Sequence, residues 1–303
     1  MRILITGSNG FVAQKFCELW ETEKREGTLL GVSKTPNRNV NLSSTYFVQC
    51  DLTDLVELEG ILLKFRPTHI LHTAAVTSVE ACRDNPEMAQ KVNVELTKFL
   101  GEYAVEHDVH MTFLSTDFVF DGKEGPYREQ DRTAPVNAYG QSKVEAERQL
   151  LALDGNIAIL RTILVYGSIS DTSRSNLVLW AKKQLEEHQS IRVVNDQWRM
   201  PTWVDDLAKA CLLSMQKEAS GVFHISGPEM FSIEETVFQI ANYWELDTSL
   251  ITAISAKDIG QEQNRPTKTG FILDKAKTIL GFTPTPFVVS LQKIDEQLRR
   301  YNP

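Results

Sequence analysis

The sequence predicts an α/β protein built on a doubly wound parallel sheet, with a smaller lobe in its C-terminal part. Three observations lead there. Through residue 165, short apolar runs without polar alternation take turns with longer helical patterns, and such runs are strands buried on both faces of a parallel sheet. The first run leads straight into a glycine-containing turn and then a helical pattern, the usual opening of a doubly wound fold. After residue 165 the alternation loosens and prolines 201, 228, 266, 284 and 286 punctuate the chain, which marks a differently built lobe.

Taken in order, strands are expected at 2–6, 28–33, 46–50, 69–74, 110–115 and 157–161, each a short apolar run. Between them, apolar residues at helical spacing predict helices near 11–24, 55–65, 86–107 and 138–152. Right-handed crossovers then place helices on both faces. Further on, helical patterns at 174–187, 205–217, 233–245 and 288–300 surround short strands at 191–194 and 222–225.

The chain has 303 residues, 42% hydrophobic and 24% charged, which excludes disordered and disulfide-scaffold classes. Lys and Arg total 32 against 40 Asp and Glu, for a net charge of −8. That sign repels a phosphate backbone, so no nucleic-acid partner is expected. Cys17, Cys50, Cys82 and Cys211 form no CxxC pair and the six histidines have no ligand spacing, so neither a disulfide framework nor a metal site is expected. No apolar run reaches membrane-spanning length, and a strand begins almost at Met1 without a signal-peptide pattern. A soluble, cytoplasmic protein is the expectation.

The turn Gly7-Ser8-Asn9-Gly10-Phe11-Val12-Ala13 follows the first strand. Gly7 permits a tight turn, and Gly10 lets backbone approach a pyrophosphate at a helix N-terminus. Ala13 stands where a third glycine is usual and still permits close helix–strand packing. The GxxGxxA spacing is a weak signal by itself; its strand–turn–helix context makes residues 1–165 a Rossmann-type dinucleotide-binding domain. Residues 166–303 are then mainly a substrate-binding lobe, with segments free to return to the sheet. The second strand ends Gly31-Val32-Ser33-Lys34, without the carboxylate that bonds a ribose 2′-OH. A hydroxyl and an ammonium suit a 2′-phosphate, so NADPH is favoured and NADH is the alternative. Asp51, followed by Leu52, ends the third strand and could accept from the adenine amino group.

Tyr139-Gly140-Gln141-Ser142-Lys143 puts a phenol and an ammonium four residues apart, on one face of a helix. A neighbouring cation favours the phenolate of a group whose ordinary pKa is about 10. Alone, this spacing is a common coincidence. It gains weight from Ser115-Thr116-Asp117 at the carboxyl end of the strand at 110–115, where sheet ligands bind. Asn93, within the 86–107 helix, could complete a proton relay.

These residues belong to a wider pattern. Leu114-Ser115-Thr116-Asp117-Phe118-Val119-Phe120-Asp121-Gly122, Tyr127-Arg128-Glu129, the Tyr139–Lys143 segment, Arg161 to Gly167, Asp196-Gln197, Pro201 to Leu207 and Arg265-Pro266 all stand in the chain. With them the sequence resembles the extended short-chain dehydrogenase/reductase superfamily, and within it the dTDP-4-dehydrorhamnose reductases, over nearly its whole length. The resemblance implies an oxidoreductase of dTDP-rhamnose biosynthesis that reduces the 4-keto group of a nucleotide-activated deoxysugar. Tyr139 would be the general acid, Lys143 would lower its pKa and hold the nicotinamide ribose, and Thr116 would polarise the carbonyl. Gly7, Asn9, Gly10, Phe11, Val12, Ser33, Lys34, Asp51, Leu52, Ala74, Ala75, Asn93, Tyr139 and Lys143 would serve the cofactor. Thr77, Asp117, Phe118 and Arg265 would face the sugar nucleotide, with Arg265 on its diphosphate. A homodimer through exposed helices is compatible with this reading.

Departures from the pattern bear on the substrate. Phe118 replaces the family's usual tyrosine, Ala146 stands where glycine is common, and residues 72–82 lack the usual asparagine-containing form. Related 4,6-dehydratases carry a glutamate base after the Thr-Asp pair, and Phe118 cannot abstract a proton. An epimerase is disfavoured by the missing acid after the second strand. The non-enzymatic alternative is a regulatory subunit, since the β subunit of methionine adenosyltransferase resembles the same reductases.

Overall fold

The computed structural model describes residues 1–171, 175–262 and 264–301. Among these, seven strands form one wholly parallel sheet. They are β1 (Arg2–Thr6), β2 (Thr28–Ser33), β3 (Phe47–Gln49), β4 (His69–His72), β5 (His110–Thr116), β6 (Ile157–Thr162) and β11 (Gly221–Ile225); the short β7 (Val165–Tyr166), β10 (Thr202–Trp203) and β12 (Phe231–Ser232) lie outside it. Their order is β11-β6-β5-β4-β1-β2-β3, so the direction of winding reverses between β1 and β4. Ligands of open α/β sheets bind at the carboxyl ends beside such a reversal.

Both faces are covered. Helices α1 (Phe11–Thr22) and α8 (Val204–Gln216) pack one face through Phe16, Trp20, Leu207 and Leu212. Helices α2 (Leu55–Phe65), α5 (Leu96–Glu106) and α6 (Ala138–Leu151) pack the other through Leu58, Leu62, Leu100 and Leu150. The absence of polar alternation is thereby explained: in β1, Ile3 and Ile5 enter one core and Leu4 the other. Residues 204–225 contribute α8 and the edge strand β11, both part of this sandwich.

The smaller lobe has its own core of Val178, Leu185, Ile191, Val237, Ile240, Phe287 and Leu291. It comprises α7 (Leu177–Glu186), α9 (Ile233–Tyr243), α10 (Phe287–Tyr301) and a parallel pair, β8 (Ile191–Val194) with β13 (Ile251–Ile254). The pattern-based expectation missed β13, whose burial is only partial and whose apolar signal is correspondingly weak. The helix expected at 174–187 runs over Leu177–Glu186; residue 174 lies outside the described residues, as do 302 and 303 of the expected lobe. Strands expected at 46–50 and 69–74 are shorter, at Phe47–Gln49 and His69–His72.

The stretch expected as one helix over 86–107 keeps its direction but changes winding. It opens as α4 (Pro86–Ala89), widens to a π-turn at Gln90–Glu95 and resumes as α5. Asn93 lies in that wide turn, a feature common near functional sites. No helix among the described residues is long and apolar enough to cross a membrane.

Candidate active site

The glycine turn takes the form its residues dictate. Gly7 sits at φ +69, and a Cβ there would stand 2.9 Å from both the backbone N and Cα of Ala74. Only glycine fits this close approach of β1 to the chain leaving β4. Gly10 is the N-cap of α1, yet no side chain caps that helix and no acid lies in its first turn. The first amides of α1 therefore face an open groove, as an anion site requires.

Asn9 and Ser33 shape this turn from within. Asn9 Nδ2 donates to the Thr35 and Pro36 carbonyls at 3.1 and 2.9 Å, and Asn9 Oδ1 accepts from Arg38 N at 2.8 Å. Ser33 Oγ accepts from Asn9 N at 3.1 Å and is buried. The Ser33 hydroxyl, expected to meet a 2′-phosphate, is thus engaged in holding the loop. Lys34 remains exposed and pairs with Asp51 at 2.7 Å; that lysine holds the Asp51 carboxyl below its ordinary range. Ser33, Lys34, Asp51, Leu52, Ala74 and Ala75 line one hollow of about 270 Å³, with Gly7, Asn9 and Gly10.

A larger groove of about 760 Å³ adjoins it, between the carboxyl edge of the sheet and the smaller lobe. Gly10, Phe11, Val12, Ala75, Thr77, Thr116, Asp117, Phe118, Tyr139, Lys143 and Arg265 all line it. Tyr139 is delivered by the first turn of α6. Asn137 caps that helix by accepting from Gly140 N at 2.8 Å. A Cβ on Gly140 would stand 2.1 Å from the Phe118 carbonyl oxygen, so glycine alone lets α6 lie against the Thr116–Phe118 turn. The Tyr139 and Phe118 rings meet edge to face at 6.2 Å.

Electrostatics depart from the sequence expectation at three residues. Burial, with the Asp117 carboxylate beside it, pushes the Tyr139 phenol up rather than down, and the Thr116 hydroxyl opposes that rise. Burial brings Lys143 down to about 7, with Glu147 opposing; its ammonium lies 4.2 Å from the centre of the Phe113 ring. Thr116 Oγ1 donates to Asp117 Oδ1 at 3.2 Å and accepts from Phe118 N. It must turn away from Asp117 before it can polarise a carbonyl.

Two expected ligand residues prove to be braces. Asn93 is fully buried: its Oδ1 accepts from Val76 N at 2.8 Å, and its Nδ2 donates to Val76 O at 3.0 Å and Ser142 Oγ at 2.9 Å. It lines neither hollow, because its amide is consumed in joining the wide helical turn to α6 and the chain after β4. Asp117, though at the groove wall, has its carboxylate enclosed by Thr116, Thr269 and Arg199. A buried carboxylate requires such partners.

Arg199 went unnoticed in the sequence. It lines the groove from β9 (Trp198–Arg199) and donates to the Trp198, Thr267 and Pro266 carbonyls. Only its place two residues before Pro201 hinted at it. Leu164, also at the groove, sits at φ +40, strain of a kind that gathers at functional sites. Among the described residues no cluster of His, Cys, Asp and Glu could hold a metal.

The RmlD substrate binding domain family matches residues 1–300. The chain belongs to that family. This agrees with the motif resemblance and the observed fold. A dTDP-4-dehydrorhamnose reductase of Aggregatibacter actinomycetemcomitans is 28% identical, covering 97% of this chain and 98% of the relative. Methionine adenosyltransferase 2 subunit beta of Danio rerio is 27% identical, covering 94% and 87%. Among solved structures, dTDP-4-dehydrorhamnose reductase from Bacillus anthracis in complex with NADP superposes with a TM-score of 0.84 at 24% identity, covering 98% and 99%.

Proposed function

We propose that this member of the RmlD family reduces the 4-keto group of a nucleotide-activated deoxysugar with NADPH, the favoured substrate being dTDP-4-dehydrorhamnose. The observation that carries this reading is the convergence of Thr116, Tyr139 and Lys143 on one groove with the uncapped N-terminus of α1. The likeness to a reductase solved with NADP supports it.

The residues fit the cofactor: a glycine cradle that a Cβ would fill, uncapped helix amides for the diphosphate, and the exposed Lys34 for the 2′-phosphate. NADPH supplies the hydride for the sugar C4 when bound. Tyr139 donates its phenolic proton to the C4 oxygen. Its raised pKa keeps that proton in place at neutral pH until charge develops on the oxygen. Lys143 holds the ribose side, and Thr116, once turned from Asp117, donates to the carbonyl. Residues of the 166–303 lobe close the sugar-nucleotide side with Arg265 on the diphosphate, and Phe118 of the dinucleotide-binding domain lies against the sugar.

A regulatory subunit is the second reading, favoured by the 27% identity to methionine adenosyltransferase 2 subunit beta. The deciding experiment follows NADPH absorbance with dTDP-4-dehydrorhamnose for wild type and Tyr139→Phe. Turnover that falls by about 10²-fold or more in the variant, with NADPH binding kept, establishes the reductase and its acid. Tight NADPH binding without turnover of any 4-keto sugar nucleotide turns the reading to the regulatory one.

A further inference from the structure

One ion pair ties Arg265, which lines the larger groove, to a helix whose residues do not line it. Helix α3 (Val79–Asp84) follows the chain leaving β4, and its Glu80 Oε1 lies 3.0 Å from an Arg265 terminal nitrogen. Glu80 is itself aimed by Ser78, whose hydroxyl donates to Glu80 Oε2 at 2.9 Å. The pair joins segments 185 residues apart and is partly exposed.

Arg265 is incompletely satisfied. Its Nε is buried and has no hydrogen-bond partner, although a buried N–H without one is costly. The neighbouring Arg199 is the opposite case: it is fixed by three carbonyls and by Asp117. Both guanidiniums approach the Phe118 ring, Arg199 at 5.8 Å and Arg265 at 5.9 Å. Two cations therefore flank one aromatic wall of the groove; one is locked, and the other is held at its outer end by a half-exposed carboxylate.

We propose that Glu80 occupies Arg265 in place of the substrate's diphosphate, and that an incoming nucleoside diphosphate displaces it. This rests on the reading that the groove takes a nucleotide sugar. The exchange is chemically sensible. Glu80 meets only a terminal nitrogen of Arg265, whereas a diphosphate offers oxygens to that nitrogen and to the orphaned Nε together, and paired charge-assisted bonds are the stronger kind. Glu80 thereby sets affinity: it opposes every ligand at this position and yields only to one with more negative charge than its own.

Calorimetric titration of dTDP, UDP and GDP into the full-length protein tests this, using wild type, Glu80→Gln, Arg265→Met and the double variant. Glu80→Gln keeps the shape and the Ser78 contact while removing the charge. It is expected to bind the preferred nucleotide about three- to five-fold tighter, the scale of a partly exposed ion pair. Arg265→Met weakens binding, and adding Glu80→Gln to it brings no gain. In turnover, the Glu80→Gln gain enters KM and leaves kcat within about two-fold. Unchanged or weaker binding in Glu80→Gln overturns the proposal, as does a gain that survives without Arg265. Failure of all three nucleotides to bind both wild type and Glu80→Gln also overturns it. The Glu80→Gln gain without reduction of any 4-keto sugar nucleotide defeats the reductase reading and leaves the displacement standing.

Discussion

The Asn93 side-chain amide donates to Ser142 Oγ at 2.9 Å across 49 residues of sequence. Ser142 Oγ in turn donates to the Tyr139 carbonyl oxygen at 2.8 Å. The wide turn of one helix thus fixes the first turn of another, the turn that carries Tyr139. Asn93 acts on the site by positioning, through α6.

Asn93→Ala leaves the Val76 N–H and carbonyl without their partner and frees Ser142. We expect a stability loss of about 2–3 kcal/mol in urea unfolding, from buried polar groups left unpaired. Turnover falls as well, because the first turn of α6 loses its anchor. A loss below about 0.5 kcal/mol would show that the hydrogen bonds do not hold the turn.

Lys143 is expected to make cofactor binding pH-dependent. Burial lowers its pKa to about 7, so its ammonium is complete below that pH and is lost above it. An anionic cofactor gains from the charge, hence NADPH affinity declines as pH rises from about 6 to about 8, by at most about ten-fold per unit. Lys143→Arg, charged throughout, flattens the profile. Fluorescence titration of NADPH measures both; a flat wild-type profile refutes the assignment.

Lys34 is expected to distinguish the two nicotinamide cofactors. It is exposed and paired with Asp51, a partner it can exchange for a 2′-phosphate. Lys34→Ala should weaken NADPH by about five-fold and leave NADH unchanged, the size of one exposed ionic contact. Equal effects on both cofactors would remove Lys34 from the 2′-phosphate site.

Beneath the groove, Arg161 and Glu147 form a buried pair at 2.6 Å, and Ser115 Oγ also donates to Glu147. Arg161→Met strands a buried carboxylate and should cost about 3–5 kcal/mol. Replacing both residues by methionine should recover much of that loss, leaving the Ser115 hydroxyl, the Glu129 carbonyl and His224 Nε2 without these partners. Chemical denaturation of the single and double variants reads the difference directly. If the double variant is as unstable as the single one, the stranded charge is not the cause.

The sheet was legible because its signals are local. Unalternated apolar runs and the Gly7–Gly10 turn each act within a few residues, so sequence order carries them. The short strand β13 was not legible, because its partial burial leaves little apolar pattern. The wide turn at Asn93 was not legible either: it arises where a helix must meet α6 and the chain after β4 together.

The sequence by itself determined the parallel sandwich, the cofactor-type turn and the Thr116, Tyr139 and Lys143 side chains that line one groove. Tertiary structure alone decided what those groups are free to do. It turned the Thr116 proton toward Asp117, made Asn93 and Asp117 braces, brought Arg199 to the groove wall and joined Glu80 to Arg265. The physical reason is that periodicity and turn chemistry depend on neighbours along the chain. Desolvation and charge pairing depend on groups that only folding brings within a few ångströms.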